Sequence, residues 1–322
     1  MRGLLLWCAT NPWLAAHVPQ WGFVRRAVRR FMPGEEFQDA LKVAVEWKPR
    51  KIGALFTQLG ENITDLAEAG VVVQHFEVVL TRAAEAMVDP IISVKPTHVG
   101  LDIDAEAALA NLQRLAAAAE KAGGWLWIDM EGSAYTDATL DLYTAVRKKH
   151  QHVGLAMQAY LYRTAADVAR LVELKPAIRL VKGAYAEPAD RAFPAKRDVD
   201  ANYLALCTFM LPELKRDRLR LVLGTHDVPL IRRITSFGEA LGIEREKIEV
   251  NMLYGIQGGA LEQLAKEGHT ARQLIAYGPA WYGWYIRRLA ERPANVLFVA
   301  RQMFAGGSGS PRGTPQRWRR EG

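Results

Sequence analysis

Two adjacent arginines, Arg287 and Arg288, are the side chains whose type and spacing most directly suggest chemistry. They lie in the segment 281–295, WYGWYIRRLAERPAN, and Pro279 and Pro293 stand near its two ends as helix boundaries do. Neighbouring positions on a helix diverge by about 100°, and the aromatic residues of the segment surround the pair. Two guanidinium groups beside aromatic walls suit a small carboxylate, because each donates paired hydrogen bonds.

A surface helix with internal salt bridges is the alternative interpretation of this segment. Glu291 follows Arg287 by four residues and Arg288 by three. Such pairs stabilise a helix by about 0.2–0.5 kcal/mol each. The segment alone does not separate the two interpretations, so the choice rests on the rest of the chain.

An alternation of short apolar segments with amphipathic ones runs through most of the chain. The segments rich in β-branched and other apolar residues predict strands at 52–57, 91–94, 125–128, 153–159, 178–181, 219–223, 248–253 and 272–276. The amphipathic segments predict helices at 34–45, 71–87, 105–122, 136–149, 164–174, 198–212, 228–241 and 260–266. Eight strands alternating with helices predict an α/β fold of the (βα)8 barrel class. A doubly wound open sheet is the competitor, but GxGxxG after the first strand and GxxxxGK[ST] are both missing.

Polar residues gather at the predicted carboxyl ends of these strands, where a barrel places its active site. Basic and amide side chains dominate the set: Lys95, Gln158, Arg163, Arg179, Lys182, Lys196, Asn251, Arg287 and Arg288. They suit an anionic ligand with a diphosphate or carboxylate group, together with a heterocycle that pairs with amides. His226, beside Asp227, is open to several roles: general base, ligand or hydrogen-bond donor. Neither HExxH nor a nucleophile elbow is present, and no metal site is expected.

Composition and charge exclude several classes of protein. The net charge of +7 comes from the ends, because residues 1–30 carry +5 and residues 306–322 carry +3, which leaves about −1 between them. A nucleic-acid-binding face on the folded domain is therefore not expected. The basic ends are either solvated tails or a contact with an anionic membrane surface. Two distant cysteines and the short apolar run near residue 5 favour a cytoplasmic protein without a secretory signal or a transmembrane helix.

Several motifs in chain order resemble those of the bacterial, monofunctional proline dehydrogenase family. They are ISVKPTHVGL at 92–101, DMEGS at 129–133, MQAYLYRT at 157–164, RLVKGAYAEP at 179–188, FPAK at 193–196, GTHD at 224–227, NMLYG at 251–255 and RRLAERPAN at 287–295. The resemblance implies a distorted (βα)8 barrel with its last helix over the barrel mouth. It also implies FAD as cofactor, oxidation of L-proline to 1-pyrroline-5-carboxylate, and quinone in the membrane as electron acceptor. We expect an N-terminal helical segment at 1–50, the barrel at 51–304 and a disordered basic tail at 305–322.

The resemblance also implies roles for individual residues. Lys95, Arg287 and Arg288 would hold the proline carboxylate, while Leu253 would pack on the pyrrolidine ring. Asp129 and Tyr185 would shape the pocket around the flavin ring. The implied FAD contacts are Gln158, Arg179, Val181, Lys182, Gly183, Lys196, Thr225, His226, Asn251 and Glu291.

Three positions depart from the family pattern. Leu274 and Trp284 stand where the family has tyrosines of the substrate pocket, and Asn251 stands where glutamine is usual. These changes alter the side of the substrate pocket that would contact the proline ring. Flavin-dependent dehydrogenation of a related cyclic imino acid, such as hydroxyproline, is therefore an alternative function. A barrel that binds a ligand without turnover is a third possibility.

Overall fold

The structure is a computed structural model that describes residues 11–18, 21, 24, 28–60 and 63–291, without the side chains of 12, 15, 16 and 287–291. The chain divides into two compact units. One unit spans residues 29–281, and the other comprises the described parts of 1–28 and 282–322. The boundaries expected at residues 50 and 304 stay predictions.

Eight parallel strands close into a barrel in chain order, which confirms the predicted fold class. The strands are β1 Ile52–Gln58, β2 Ile91–Val94, β3 Trp125–Ile128, β4 Val153–Gln158, β5 Ala177–Val181, β6 Arg220–Gly224, β7 Ile248–Leu253 and β8 Ala271–Tyr277. In-register pairing of β8 with β1, from Ile52 opposite Ala271 to Gln58 opposite Tyr277, closes the barrel. Each strand overlaps its predicted segment to within two residues at either end.

Helices of the barrel unit follow the strands as expected. The helices described along the whole chain are α1 Pro12–His17, α2 Phe37–Trp47, α3 Leu66–Glu85, α4 Ala105–Lys121, α5 Thr136–Arg147, α6 Thr164–Leu171, α7 Lys196–Lys215, α8 Val228–Ala240, α9 Gly258–Lys266 and α10 Trp281–Glu291. Short 3₁₀ helices include Pro96–Val99 after β2 and Ser133–Tyr135 after β3. None of the helices in the described part of the chain is both long and apolar enough to cross a membrane.

Two faces of the strands build two different layers of core. Outward-facing residues such as Phe56, Ile92 and Leu155 belong to the large apolar cluster that includes helix residues. A second, smaller cluster joins Leu55, Ile91, Trp127, Ala177 and Val222, with Leu274 packed against it. Its members come from strands all round the barrel, so this cluster lies inside the barrel. It separates a charged layer at the amino-terminal end from a polar layer at the carboxyl-terminal end, where the candidate site lies.

The last described helix, α10, covers the first eleven residues of the helical segment expected at 281–295. The remaining four residues lie outside the described residues, as does the expected tail at 305–322. Trp281 belongs to the barrel unit, where its Nε1 donates a hydrogen bond to Glu35 Oε1 at 3.1 Å. That the last helix lies over the barrel mouth stays a prediction.

Candidate active site

Three polar side chains meet inside the barrel just above the apolar layer. Ser93 near the end of β2 donates a hydrogen bond from its hydroxyl to Asp129 Oδ1 at 2.9 Å. Arg179 of β5 donates from Nη2 to Ser93 Oγ at 2.8 Å and forms an ion pair with Asp129. The strands therefore bring together Asp129 and Arg179, which lie 50 residues apart in sequence.

Arg179 is a buried cation with unused hydrogen-bonding capacity. Its side chain is only 5% exposed, and its guanidinium carbon lies 5.1 Å from the centre of the Trp127 ring. Burial lowers the pKa of Arg179 from its ordinary value, while the Asp129 carboxylate acts in the opposite direction. Nη1 has no hydrogen-bond partner among the described residues. Because a buried unpaired donor is costly, this atom marks a position for an acceptor of a ligand.

Two amide oxygens lie at one level of the barrel wall. In the strand register, Gln158 stands opposite Val181, Val181 opposite Gly224, and Gly224 opposite Asn251. Gln158 Nε2 donates to the backbone oxygens of the two residues after Asp129, at 3.3 and 3.2 Å. Gln158 Oε1 and Asn251 Oδ1 are buried and have no partner within the described ranges. Both oxygens can therefore accept hydrogen bonds from a ligand in the barrel mouth.

Lys182 and Lys196 are drawn together by two aspartates. Lys182 Nζ donates to Asp200 Oδ1 at 2.5 Å and to Asp227 Oδ2 at 2.7 Å. Lys196 Nζ also contacts Asp200, lies 3.8 Å from Asp227 Oδ2, and is 75% exposed. Burial alone would raise the pKa of Asp200, but the hydrogen bonds from the two lysines outweigh it and hold that pKa below its ordinary value. Lys196 is thus the more accessible of the two for an anionic ligand.

Gly183 allows the loop after β5 to pass close to an aromatic ring. Its φ is +118°, and a Cβ at this position would lie 2.5 Å from the Tyr160 ring. The backbone N–H of Tyr160 donates to the backbone oxygen of Lys182 at 2.9 Å, and this hydrogen bond also keeps the two segments close together. Tyr185 follows two residues later and is half-buried. Glycine is therefore required where the loop that carries Tyr185 leaves the barrel.

The ends of β6 and β7 are joined by a histidine. The backbone N–H of Leu253 donates to His226 Nε2 at 3.4 Å, which assigns the ring proton of the neutral form to Nδ1. Thr225 Oγ1 accepts from the backbone N–H of Asp227 at 3.2 Å, so this hydroxyl orients the turn after β6. Thr225 and Asn251 are buried, while Leu253 is half-buried at the mouth.

Lys95 stands at the mouth directly before the 3₁₀ helix Pro96–Val99 and is half-buried. Glu131, which the sequence did not assign to the site, fixes this turn. Its carboxylate accepts hydrogen bonds from Thr97 N–H at 3.0 Å and from Thr97 Oγ1 at 2.8 Å. Glu131 lies in the motif DMEGS, and Asp200 follows the motif FPAK by four residues. Their partners, Thr97 and Lys182, are evident only in the folded structure.

Five further predicted residues lie on the last two described elements, β8 and α10. Leu274 is half-buried and packs on the apolar cluster inside the barrel. Trp284 is half-buried. The side chains of Arg287, Arg288 and Glu291 lie outside the described residues, although α10 includes their backbone. Among the described residues, no group of three or more His, Cys, Asp or Glu side chains is arranged to hold a metal ion.

The chain resembles known proline dehydrogenases over most of its length. The family model for proline dehydrogenase matches residues 40–301. The chain is 33% identical over 299 residues to proline dehydrogenase 1 of Bacillus subtilis subsp. natto, covering 93% of this chain and 97% of that protein. It is 36% identical over 282 residues to proline dehydrogenase of Deinococcus radiodurans, covering 86% and 90%.

Solved structures show the same fold. Proline utilization A from Bdellovibrio bacteriovorus superposes with a TM-score of 0.79 at 22% identity, over 96% of this chain and 38% of that longer protein. A variant of proline utilization A from Bradyrhizobium japonicum gives 0.71 at 24% identity, over 87% of this chain and 32% of that one. The match of the family model over most of the chain, together with the relatives above 30% identity, shows that the chain is an oxidoreductase that belongs to the proline dehydrogenase family.

Proposed function

We propose that this protein oxidises L-proline to 1-pyrroline-5-carboxylate with FAD as cofactor, and that quinone receives the electrons. The single observation that carries the proposal is the polar layer at the carboxyl end of the barrel. It contains Arg179 and two amide oxygens whose hydrogen-bonding capacity the described residues leave unused. The proline dehydrogenases that resemble this chain support the substrate.

The residues present fit a flavin. A flavin ring carries both hydrogen-bond donors and acceptors, and the layer offers the complementary groups. Arg179 Nη1 is a donor, while Gln158 Oε1 and Asn251 Oδ1 are acceptors. Lys196 is the exposed lysine of the Asp200 cluster and suits the diphosphate. FAD, when bound, supplies the acceptor for the hydride that leaves the carbon next to the proline nitrogen.

The chain's own residues bind and orient the substrate in this proposal. Lys95, Arg287 and Arg288 hold the proline carboxylate, and Leu253 packs on the pyrrolidine ring. Asp129 and Tyr185 shape the pocket around the flavin ring. The other proposed cofactor contacts are Gln158, Arg179, Val181, Lys182, Gly183, Lys196, Thr225, His226, Asn251 and Glu291. Orientation of this kind supplies a large part of the rate enhancement, because the reacting atoms are held in position before the reaction.

Product trapping tests the proposed reaction. Purified protein is incubated with L-proline and a soluble quinone analogue, and 1-pyrroline-5-carboxylate is trapped with o-aminobenzaldehyde. We expect product formation that depends on both substrates and is lost in Arg287→Ala and Arg288→Ala. Product yield equal to that of heat-denatured protein would reject the proposal.

A related cyclic imino acid is the second candidate substrate, and the surroundings of Leu274 favour it. This side chain packs against the apolar cluster inside the barrel, so it offers a shorter and less polar wall than a tyrosine. Even one methylene gained or lost in an apolar pocket changes discrimination between substrates by about 10- to 200-fold. Leu274→Tyr should therefore raise the ratio of kcat/KM for proline to that for hydroxyproline, and Leu274→Phe separates ring volume from the hydroxyl. An unchanged ratio in both variants would remove Leu274 from the specificity argument.

The basic ends of the chain support a further part of the proposal, which is binding to the anionic face of a membrane. Co-sedimentation with anionic vesicles should weaken as salt rises, because the interaction is electrostatic. Binding that does not respond to salt would contradict this part while leaving the enzymatic proposal intact.

A further inference from the structure

Glu187 connects two loops at the mouth of the barrel. One carboxylate oxygen accepts the backbone N–H of Ser133 at 2.7 Å, and the other accepts the Ser133 hydroxyl at 2.5 Å. Tyr160 OH lies 3.5 Å from the first oxygen, and Arg191 donates to Ser133 Oγ at 3.1 Å. Hydrogen bonds to an ionised acceptor are roughly twice as strong as neutral ones. The loop after β5 is thereby tied to the loop after β3.

A second glutamate makes the same pair of contacts between the loops after β3 and β2. Glu131 in the loop after β3 accepts both the backbone N–H and the hydroxyl of Thr97 in the loop after β2. Thr97 and Ser133 each lie in the first turn of a short 3₁₀ helix, where backbone N–H groups lack partners within the helix. Each glutamate therefore caps the turn of another loop and fixes that loop relative to its own.

The two glutamate contacts connect residues that the proposed function uses. Thr97 follows Lys95 by two residues, and Ser133 follows Asp129 by four. Glu187 follows Tyr185 by two residues. The continuous path from Lys95 through Asp129 to Tyr185 thus joins the proposed carboxylate site to the proposed flavin pocket.

The rest of the loop after β5 is held independently of Glu187. Phe193 N–H donates to the oxygen of Tyr160 at 2.8 Å, and Tyr162 N–H donates to the oxygen of Arg191 at 3.1 Å. Tyr162 and Phe193 also pack edge to face, with ring centres 4.6 Å apart. Loss of the Glu187 contacts would therefore release the part of the loop near Tyr185 without unfolding the whole loop.

We propose that Glu187 is a positioning residue that closes the loop carrying Tyr185 over the bound cofactor by holding Ser133. The inference rests on the proposed function, because it takes FAD as the molecule in the barrel mouth. Glu187 is not proposed to touch FAD or substrate.

The test compares Glu187→Ala with Asp190→Ala, which removes an exposed carboxylate from the same loop. Apoprotein of each variant is loaded with FAD, and two quantities are measured: the rate constant of FAD dissociation and the quenching of flavin fluorescence by iodide. Because the loop loses two hydrogen bonds to a charged group, Glu187→Ala should release FAD about tenfold faster or more. Iodide should quench its flavin more strongly, while Asp190→Ala should match the wild type.

Further variants separate positioning from general damage to the fold. Glu187→Gln keeps a carbonyl acceptor for Ser133 N–H, so it should restore most of the wild-type dissociation rate. Ser133→Ala removes only the hydroxyl contact and should have an intermediate effect, and it carries the test alone if Glu187→Ala does not fold. The double variant Glu187→Ala/Ser133→Ala should release FAD no faster than Glu187→Ala alone, because both changes remove the same contact.

Failure of this inference is distinguishable from failure of the proposed function. Wild-type protein that binds no FAD would reject the proposed function, and the inference with it. If the wild type binds FAD but Glu187→Ala and Asp190→Ala show equal FAD release and equal quenching, only the role of Glu187 is overturned.

Discussion

Arg179 is a buried cation in the barrel mouth. It is buried above the Trp127 ring, pairs with Asp129 and leaves Nη1 without a protein partner in the described part of the chain. A buried charge is expensive unless it is paired and hydrogen-bonded. A ligand that accepts a hydrogen bond and gains negative charge during the reaction would use both the unpaired Nη1 donor and the positive charge of this guanidinium.

Arg179 should raise the reduction potential of the bound flavin, because a nearby positive charge stabilises the reduced, anionic form. We expect Arg179→Ala to lower the potential by about 30 mV or more, equivalent to about 1.4 kcal/mol for a two-electron couple. Equilibrium dye reduction measures the shift, with Arg197→Ala, an 89% exposed arginine, as the control. A potential in Arg179→Ala equal to that of the control would rule out this role.

Gly183 is a position where a single methyl group should be costly. The backbone is in a region that residues with a Cβ rarely adopt, and the added carbon would meet the Tyr160 ring at 2.5 Å. Gly183→Ala should therefore reduce the free energy of unfolding by about 1–3 kcal/mol. Gly70→Ala in α3 is the control, because a Cβ there has nothing within 4 Å and should stabilise the helix by about 0.5–1 kcal/mol. Urea unfolding that ranks the two variants in the opposite order would contradict this account.

Secondary structure elements were predicted well where a repeating apolar pattern marks them and less well at their ends. All eight strands lie at predicted positions because buried parallel strands are short apolar runs. Helix α3 was expected to begin at residue 71 but begins at Leu66, since Asp65 caps it by accepting Ala67 N–H at 2.9 Å. Helix α7 was expected to end at Pro212 but continues to Lys215, because Leu214 extends its buried face.

Residue types at the strand ends pointed to an anion-binding site, but their partners did not follow from the sequence. The motif containing Lys182 predicted a cofactor contact, whereas the fold also places that ammonium between Asp200 and Asp227. Such contacts join side chains from three different elements, and spacing along the chain carries no information about them. The contacts of Glu187 with Ser133 could not be predicted from the sequence for the same reason.

The cluster of Lys182, Asp200 and Asp227, between the ends of β5 and β6 and helix α7, should make the stability of the fold sensitive to acid. The lysine hydrogen bonds hold the pKa of Asp200 below its ordinary value of 3.8 in the folded state. A lowered pKa stabilises the fold above the unfolded-state value, and the contribution is lost as pH falls through the folded-state value. Asp200→Asn should therefore be less stable than the wild type at pH 7, with a difference that shrinks below about pH 4. Thermal unfolding across this range measures it.

Asp198→Asn is the matched control for that experiment. Asp198 lies in the same helix, is 43% exposed and pairs with Arg197 at 3.2 Å. Its replacement should change stability by no more than about 0.5 kcal/mol. Equal behaviour of the two variants at every pH would show that the Asp200 cluster does not contribute.

An ion network lies inside the barrel at its amino-terminal end, beside the ring of Trp125. Glu249 of β7 pairs with Arg220 of β6 at 2.5 and 2.9 Å and with Arg272 of β8 at 2.5 Å. Asp89 completes the network by accepting from Arg272 at 2.9 Å. The Arg220 guanidinium also lies 4.0 Å from the centre of the Trp125 ring. Three strands are therefore linked through a single buried carboxylate.

Loss of the Glu249 charge should destabilise the whole molecule. Glu249→Gln leaves two largely buried guanidinium groups without their shared counter-ion, and breaking a buried pair in this way costs about 3–5 kcal/mol. Glu246→Gln, at an exposed position three residues earlier, serves as the control. Urea unfolding should show the large loss only in Glu249→Gln, and equal midpoints for the two variants would contradict a structural role for the network.

The central claim is that the polar layer at the barrel mouth holds FAD next to a site for L-proline. Anaerobic titration of the purified protein with L-proline, followed by the visible absorbance of oxidised flavin, tests it most directly. The account predicts that proline bleaches this absorbance with half-saturation at about 1 mM or below. A protein without flavin, or a flavin that L-proline does not reduce, would contradict it.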